Sequence, residues 1–111
     1  MATPQEVADL QVVIDLIRAA SSGSPQLDNA ISDYLGVGRG KDFTRNLDTV
    51  KALLPAGVVI EFSGTDFSNN GEQMVTIGKP PEFAGHIHGW HPTSMQLAAV
   101  CGALKHVKGV A

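Results

Sequence analysis

The sequence reads as a single α+β domain, with a small three-stranded antiparallel sheet packed against about four helices in the order ααα-βββ-α. Three observations lead there. Helix-start signatures recur through the first half, each followed by apolar residues spaced along one helical face. At Val58 the apolar period drops to two and stays so through three short runs ending at His88. After Pro92 the pattern is helical again, small and apolar.

Thr3-Pro4-Gln5-Glu6 combines an N-cap, a proline at the first helical position and a glutamate that closes a capping box. The helix it opens carries Val7, Leu10, Ile14 and Ile17, widened by Val13, Leu16 and Ala20, with Val12 apolar off the stripe. So wide an arc sits deep in a domain or touches a second chain. Ser21-Ser22-Gly23 ends it. Ser24-Pro25 starts a second helix by the same device, with Leu27, Ile31, Tyr34 and Leu35 facing inward as far as Gly36. A flexible basic loop follows, Gly36 to Asp42. A third helix, capped by Thr44 or Asn46, carries Leu47, Val50, Leu53 and Leu54 and stops at Pro55-Ala56-Gly57.

Val58, Ile60 and Phe62 then alternate with Val59, Glu61 and Ser63, a half-buried strand. Asn70-Gly71 marks a hairpin, and Met74 to Ile77 makes the second strand, Val75 and Ile77 toward the core and Met74 and Thr76 away. Lys79-Pro80-Pro81 breaks it. Phe83 to His88 reads as the third strand, with Phe83, Gly85 and Ile87 on one face and Ala84, His86 and His88 on the other. Trp90, His91 and Pro92 turn the chain, Pro92 suits the first position of the last helix, and Thr93 and Ser94 suit its cap. That helix buries Met95, Leu97, Ala98, Val100, Cys101 and Leu104. The sheet thus has one apolar face for helices and one polar face for water, a partner or a ligand. Its edges are open to completion by another protomer.

At 111 residues the chain supports a single core, and its net charge of −3 offers no electrostatic footprint for a DNA or RNA polymer. Charged residues are 17%, below the roughly 25% of typical domains, which favours self-association. One cysteine excludes an intrachain disulfide, and Cys101, inside an apolar helical pattern, reads as a core thiol. The N-terminus lacks the pattern of a signal peptide and no run reaches membrane-spanning length, so a cytoplasmic protein without membrane contact is expected.

Three segments together resemble the phage ABA sandwich domain family of bacteriophage and prophage proteins: Leu27 to Gly36 (LDNAISDYLG), Phe43 to Pro55 (FTRNLDTVKALLP) and Pro92 to Lys105 with its single cysteine. The likeness spans most of residues 10 to 107. It implies an α/β sandwich and a phage setting, and assigns no activity. The run Gly85-His86-Ile87-His88-Gly89-Trp90-His91 departs from the family's usual pattern, so the resemblance gives those histidines no role.

Two stretches offer chemistry. His86 and His88 put two imidazoles on one strand face, a spacing used by metal sites, with His91 able to join after the turn and Glu61 on the neighbouring strand as a fourth ligand. Solvated or inter-subunit surface is the plainer role for the same residues. The second stretch gathers Arg39, Lys41, Arg45 and Lys51, four of the eight basic residues, around glycines that can turn N–H groups toward an anion. It is no Walker A loop, because Leu35 and Asp42 stand where glycine and Ser or Thr are required. Trp90 fills the core or an interface, or stacks on a planar ligand. Asp28, Asp33 and Asp48 sit on helices, in first turns or in solvent, with no catalytic role.

The leading functional expectation is a non-catalytic phage- or prophage-type binding protein. In it Arg39, Lys41, Arg45, Glu61, His86, His88, Trp90 and His91 form a pocket at a subunit interface for a small anionic, nucleotide-like immune signal of the host, with no cofactor. One alternative is a metal-dependent hydrolase using His86, His88 and His91. The other is a structural or interaction module with no small ligand.

Overall fold

The computed structural model describes residues 3–83 and 85–110, and among them the element order is the expected three helices, three strands and a helix. Helix α1 (Pro4–Ala19) opens on the capping box: Thr3 Oγ1 accepts from Glu6 N at 3.1 Å and donates to the Glu6 carboxylate at 3.2 Å. Helix α2 (Pro25–Leu35) is capped by Ser24, whose Oγ accepts from Leu27 N at 3.1 Å. It closes at Gly36 with φ 72°, a left-handed position that glycine adopts without penalty. Helix α3 (Leu47–Lys51) is shorter than the run to Leu54 that its sequence predicts. After Lys51 the chain tightens into turns in which Leu53 N donates to Val50 O and Leu54 N to Lys51 O. Helix α4 (Met95–Lys108) is capped by Ser94, so Pro92 lies in the connection and not at the first helical position.

Strands β1 (Val59–Asp66), β2 (Glu72–Gly78) and β3 (Ile87–His91) pair antiparallel in the order β1-β2-β3. The Asn70-Gly71 signal holds: both residues take positive φ, 56° and 73°, after a single 3-10 turn at Phe67–Asn69. The third strand starts four residues later than predicted and runs through Trp90 and His91, which were expected to turn. Phe83 lies outside it at φ 52°, in a loop that begins at Lys79, and Ala84 is outside the described residues. The alternation itself is kept. Ile87, Gly89 and His91 point inward, His88 and Trp90 outward.

The core is built on α4. Every residue from Leu97 to Leu104 is buried, with the inward faces of β2 and β3 on one side and α1 and α3 on the other. Small residues let helix and strand meet backbone to backbone: Gly89 and Gly102 approach so closely that a Cβ on Gly102 would lie 3.3 Å from Gly89 N. Leu10, Val13, Ile14 and Ile17 of α1, with Leu27 and Ile31 of α2, complete the cluster. Each such side chain contributes about 1.5–3 kcal/mol on leaving water.

Three apolar expectations fail at the margins of this core. Leu16 is 52% exposed and Val7 42%, because the buried stripe of α1 is narrower than the sequence arc. Phe62 is 45% exposed although it pairs with buried Val75, because α4 lies over β2 and β3 and barely reaches β1.

Candidate functional site

The outer face of the sheet carries a row of aromatic and polar side chains. The register sets Glu61, Thr76 and His88 side by side across the three strands, with Met74 beside Trp90 in the next rung. Thr76 Oγ1 lies 3.1 Å from His88 Nδ1 and 3.2 Å from Ser63 Oγ, a short relay that orients the imidazole. The His86 ring centre is 4.7 Å from that of His88, which in turn is 5.4 Å from the Trp90 ring. His86 Nδ1 donates to Phe83 O at 2.9 Å. Trp90 Nε1 donates to Asp66 Oδ2 at 3.1 Å, and the Asp66 carboxyl is held below its ordinary range by the Ser68 side chain first and by this indole second.

Lys105 reaches this edge of the sheet from α4. Its ammonium lies 5.1 Å from the Trp90 ring centre and donates to His88 O at 3.2 Å. Burial lowers its pKa, so an anion nearby would stabilise the charge it carries. Sequence reasoning missed Lys105. A lone lysine four residues past Cys101 in an apolar helix carries no motif that marks it.

His91 does not join His86 and His88. It sits on the opposite face of β3, 1% exposed, because alternation along the strand sends it inward. There its Nδ1 accepts from Thr93 N at 3.1 Å and Ser94 N at 2.9 Å, while Nε2 donates to Ala20 O at 2.8 Å, with Ile17 O at 3.2 Å. One ring therefore ties the end of α1 to the start of α4. The three-histidine cluster expected for a hydrolase is not assembled, and among the described residues no group of three or more His, Cys, Asp or Glu is placed to hold a metal ion. Glu61 is exposed and separated from His88 by the width of β2.

The basic loop is also apart from the outer face, in the helical layer beyond α4. Arg39 is paired with Asp33 at 2.7 Å and Arg45 with Asp28 at 2.8 Å. The Arg39 guanidinium holds the Asp33 carboxyl below its usual range. Asp28 lies in the first turn of α2, one of the two places expected for it, and there it is 1% exposed and accepts from Thr44 N at 2.7 Å, from the Thr44 hydroxyl and from Arg45 Nε. It latches the loop to α2. Lys41 borders a cleft of about 190 Å³ lined by Val37, Phe43, Thr49, Ala52 and Leu53. That is below the roughly 300–1,000 Å³ of drug-sized sites. Within one chain Arg39 and Arg45 are therefore turned to carboxylates of α2, while Trp90, His86 and His88 lie on the sheet.

Cys101 is buried, and burial pushes its thiol up to about 12. No helix of the described residues is long and apolar enough to cross a membrane. Comparison of the chain with family models, with curated proteins and with solved structures finds no match.

Proposed function

We propose that this chain is a non-catalytic binding protein that takes a small, planar, anionic ligand of nucleotide type on the outer face of its sheet. The observation that carries the reading is the oriented row His86, His88 and Trp90, with the half-buried ammonium of Lys105 beside it. Stacking of a base on an aromatic side chain is worth about 1–3 kcal/mol and tolerates any base. Trp90 is steadied by Asp66 and His88 by Thr76, so little order must be gained on binding. Lys105 takes the role of phosphate partner that the sequence had given to Arg39, Lys41 and Arg45. The phage setting, and with it a host immune nucleotide as the cargo, rests on the resemblance of the three segments.

Trp90 is the sole tryptophan, so its fluorescence reads the site directly. Titration with purine and pyrimidine mono- and dinucleotides is expected to quench it saturably. Lys105→Met should weaken binding tenfold or more, and Arg39→Ala should leave it unchanged. Absence of saturable quenching by any of these ligands, or equal affinity in Lys105→Met, overturns the reading.

Self-association is part of the same proposal. Val12 is 61% and Leu16 52% exposed on the outward side of α1, and a helix apolar on both sides is one that a second surface covers. Sedimentation equilibrium is expected to give a dimer or larger assembly that Val12→Glu with Leu16→Glu dissociates. A wild-type monomer at the highest soluble concentration refutes it.

A further inference from the structure

We infer that His86 and His88 alone form a two-imidazole chelate for a late first-row divalent ion such as Zn²⁺, Cu²⁺ or Ni²⁺. This goes beyond the nucleotide reading and does not depend on it. The argument starts from the nitrogens. His86 Nδ1 faces a carbonyl oxygen, Phe83 O at 2.9 Å, and a carbonyl only accepts, so Nδ1 carries the hydrogen and Nε2 the lone pair. His88 Nδ1 faces Thr76 Oγ1 at 3.1 Å, and that hydroxyl has Ser63 Oγ at 3.2 Å to receive its own hydrogen. Both hydroxyl bonds are reversible in direction; the run from His88 to Thr76 to Ser63, which an ion on the ring would select, again leaves Nε2 as the lone-pair nitrogen. Metal-binding histidines show this arrangement, one ring nitrogen tied to an oxygen and the other left to the ion.

The spacing fits as well. Two imidazoles bound through Nε2 at about 2.0–2.1 Å, at roughly 90–110° about the ion, put their ring centres roughly 4.5–5.2 Å apart. The centres of His86 and His88 are 4.7 Å apart and their planes are inclined by 64°. Both rings stand at the solvent side of the sheet, His86 exposed and His88 half-buried, so an ion reaches them without opening the fold. Imidazole donors select the copper end of the first-row series over Mg²⁺ or Ca²⁺, which prefer oxygen. With two protein ligands, the remaining coordination positions belong to water or to a bound molecule.

The test uses the metal-free protein and Cu²⁺, in the absence of nucleotide. A copper ion on His88 lies close to Trp90, whose ring centre is 5.4 Å from that of His88, and should quench its fluorescence saturably at one ion per chain. Excess Zn²⁺, which does not quench, should restore the signal by competition. His86→Ala and His88→Ala should each weaken copper binding tenfold or more, while His106→Ala leaves it unchanged. Quenching that survives the double His86→Ala, His88→Ala variant places the copper elsewhere and overturns the inference, as does failure of both Cu²⁺ and Zn²⁺ to bind the wild type.

Discussion

Replacing Gly89 by alanine tests the account of the core most sharply. A Cβ at Gly89 would overlap the Ala98 carbonyl oxygen and lie 2.5 Å from Gly102 N and 2.8 Å from Gly102 Cα. All three neighbours are backbone atoms of α4, so no rotamer change relieves the clash. Ordinary carbon contacts lie at about 3.5–4.0 Å, which means α4 must retreat by roughly 1 Å or more along its contact with β3. Overpacking of a well-filled core costs about 1–3 kcal/mol, and here the retreat also loosens contacts of Leu97, Cys101 and Leu104, each at most 1% exposed. A loss of about 3 kcal/mol is expected, a large share of the roughly 5–15 kcal/mol that stabilises a typical domain. Gly102→Ala supplies the control. Its Cβ meets the mobile end of Ile77 at 2.8 Å and the backbone of Gly89 only at 3.3–3.4 Å. Alanine also gains up to about 1 kcal/mol over glycine inside a helix, so the net change should stay within about 1 kcal/mol. Urea denaturation followed by far-ultraviolet circular dichroism measures both. A Gly89→Ala protein as stable as wild type, or a Gly102→Ala protein less stable than Gly89→Ala, refutes the backbone-to-backbone contact.

Three further outcomes follow from the buried polar groups. Asp28→Ala leaves the Thr44 N–H without its acceptor and the Thr44 hydroxyl with only Ser24 O at 3.4 Å, and should cost about 2–4 kcal/mol by urea denaturation; Arg45→Ala, removing a half-exposed partner, should cost under about 1 kcal/mol. Glu72 accepts from Arg18 at 2.5 and 2.8 Å, and that hydrogen bond holds its carboxyl below the ordinary value. Its contribution is therefore present above the unfolded value near pH 4.5 and is lost as pH falls through the lower folded value, so wild type should outlast Glu72→Gln at pH 7 and the difference should vanish in acid. A gap independent of pH would refute the pairing. Cys101, with its thiol pushed up to about 12, should resist alkylation at pH 8 in the native protein and react at once in urea; rapid native labelling would contradict its burial.

Much of this architecture is legible in local pattern. Thr3, Ser24, Asn46 and Ser94 cap the helices they precede, because a capping side chain acts within three residues of itself. The frame of the third strand is not. Gly89 and Pro92 around Trp90 and His91 resemble a turn, whereas Gly89 is a strand residue stripped of its side chain so that α4 can approach. Once the strand runs on through His91, alternation alone separates His91 from His86 and His88. The latch of Asp28 on Thr44 and Arg45, and the reach of Lys105 to Trp90, join residues 15 to 17 apart through packing between elements, for which sequence offers no period to read.

The His91 clasp has a consequence for how the chain acquires its structure. Its ring bonds the carbonyls of residues 17 and 20, 71 to 74 positions earlier in sequence, and the amides of residues 93 and 94. Helix α4, against which nearly everything else is buried, comes later still. During synthesis the apolar faces of α1 and α2 therefore have only each other until α4 has left the ribosome. Such late, non-local closure slows folding and leaves sticky intermediates. The nascent chain should be a client of holding chaperones, released only when α4 docks.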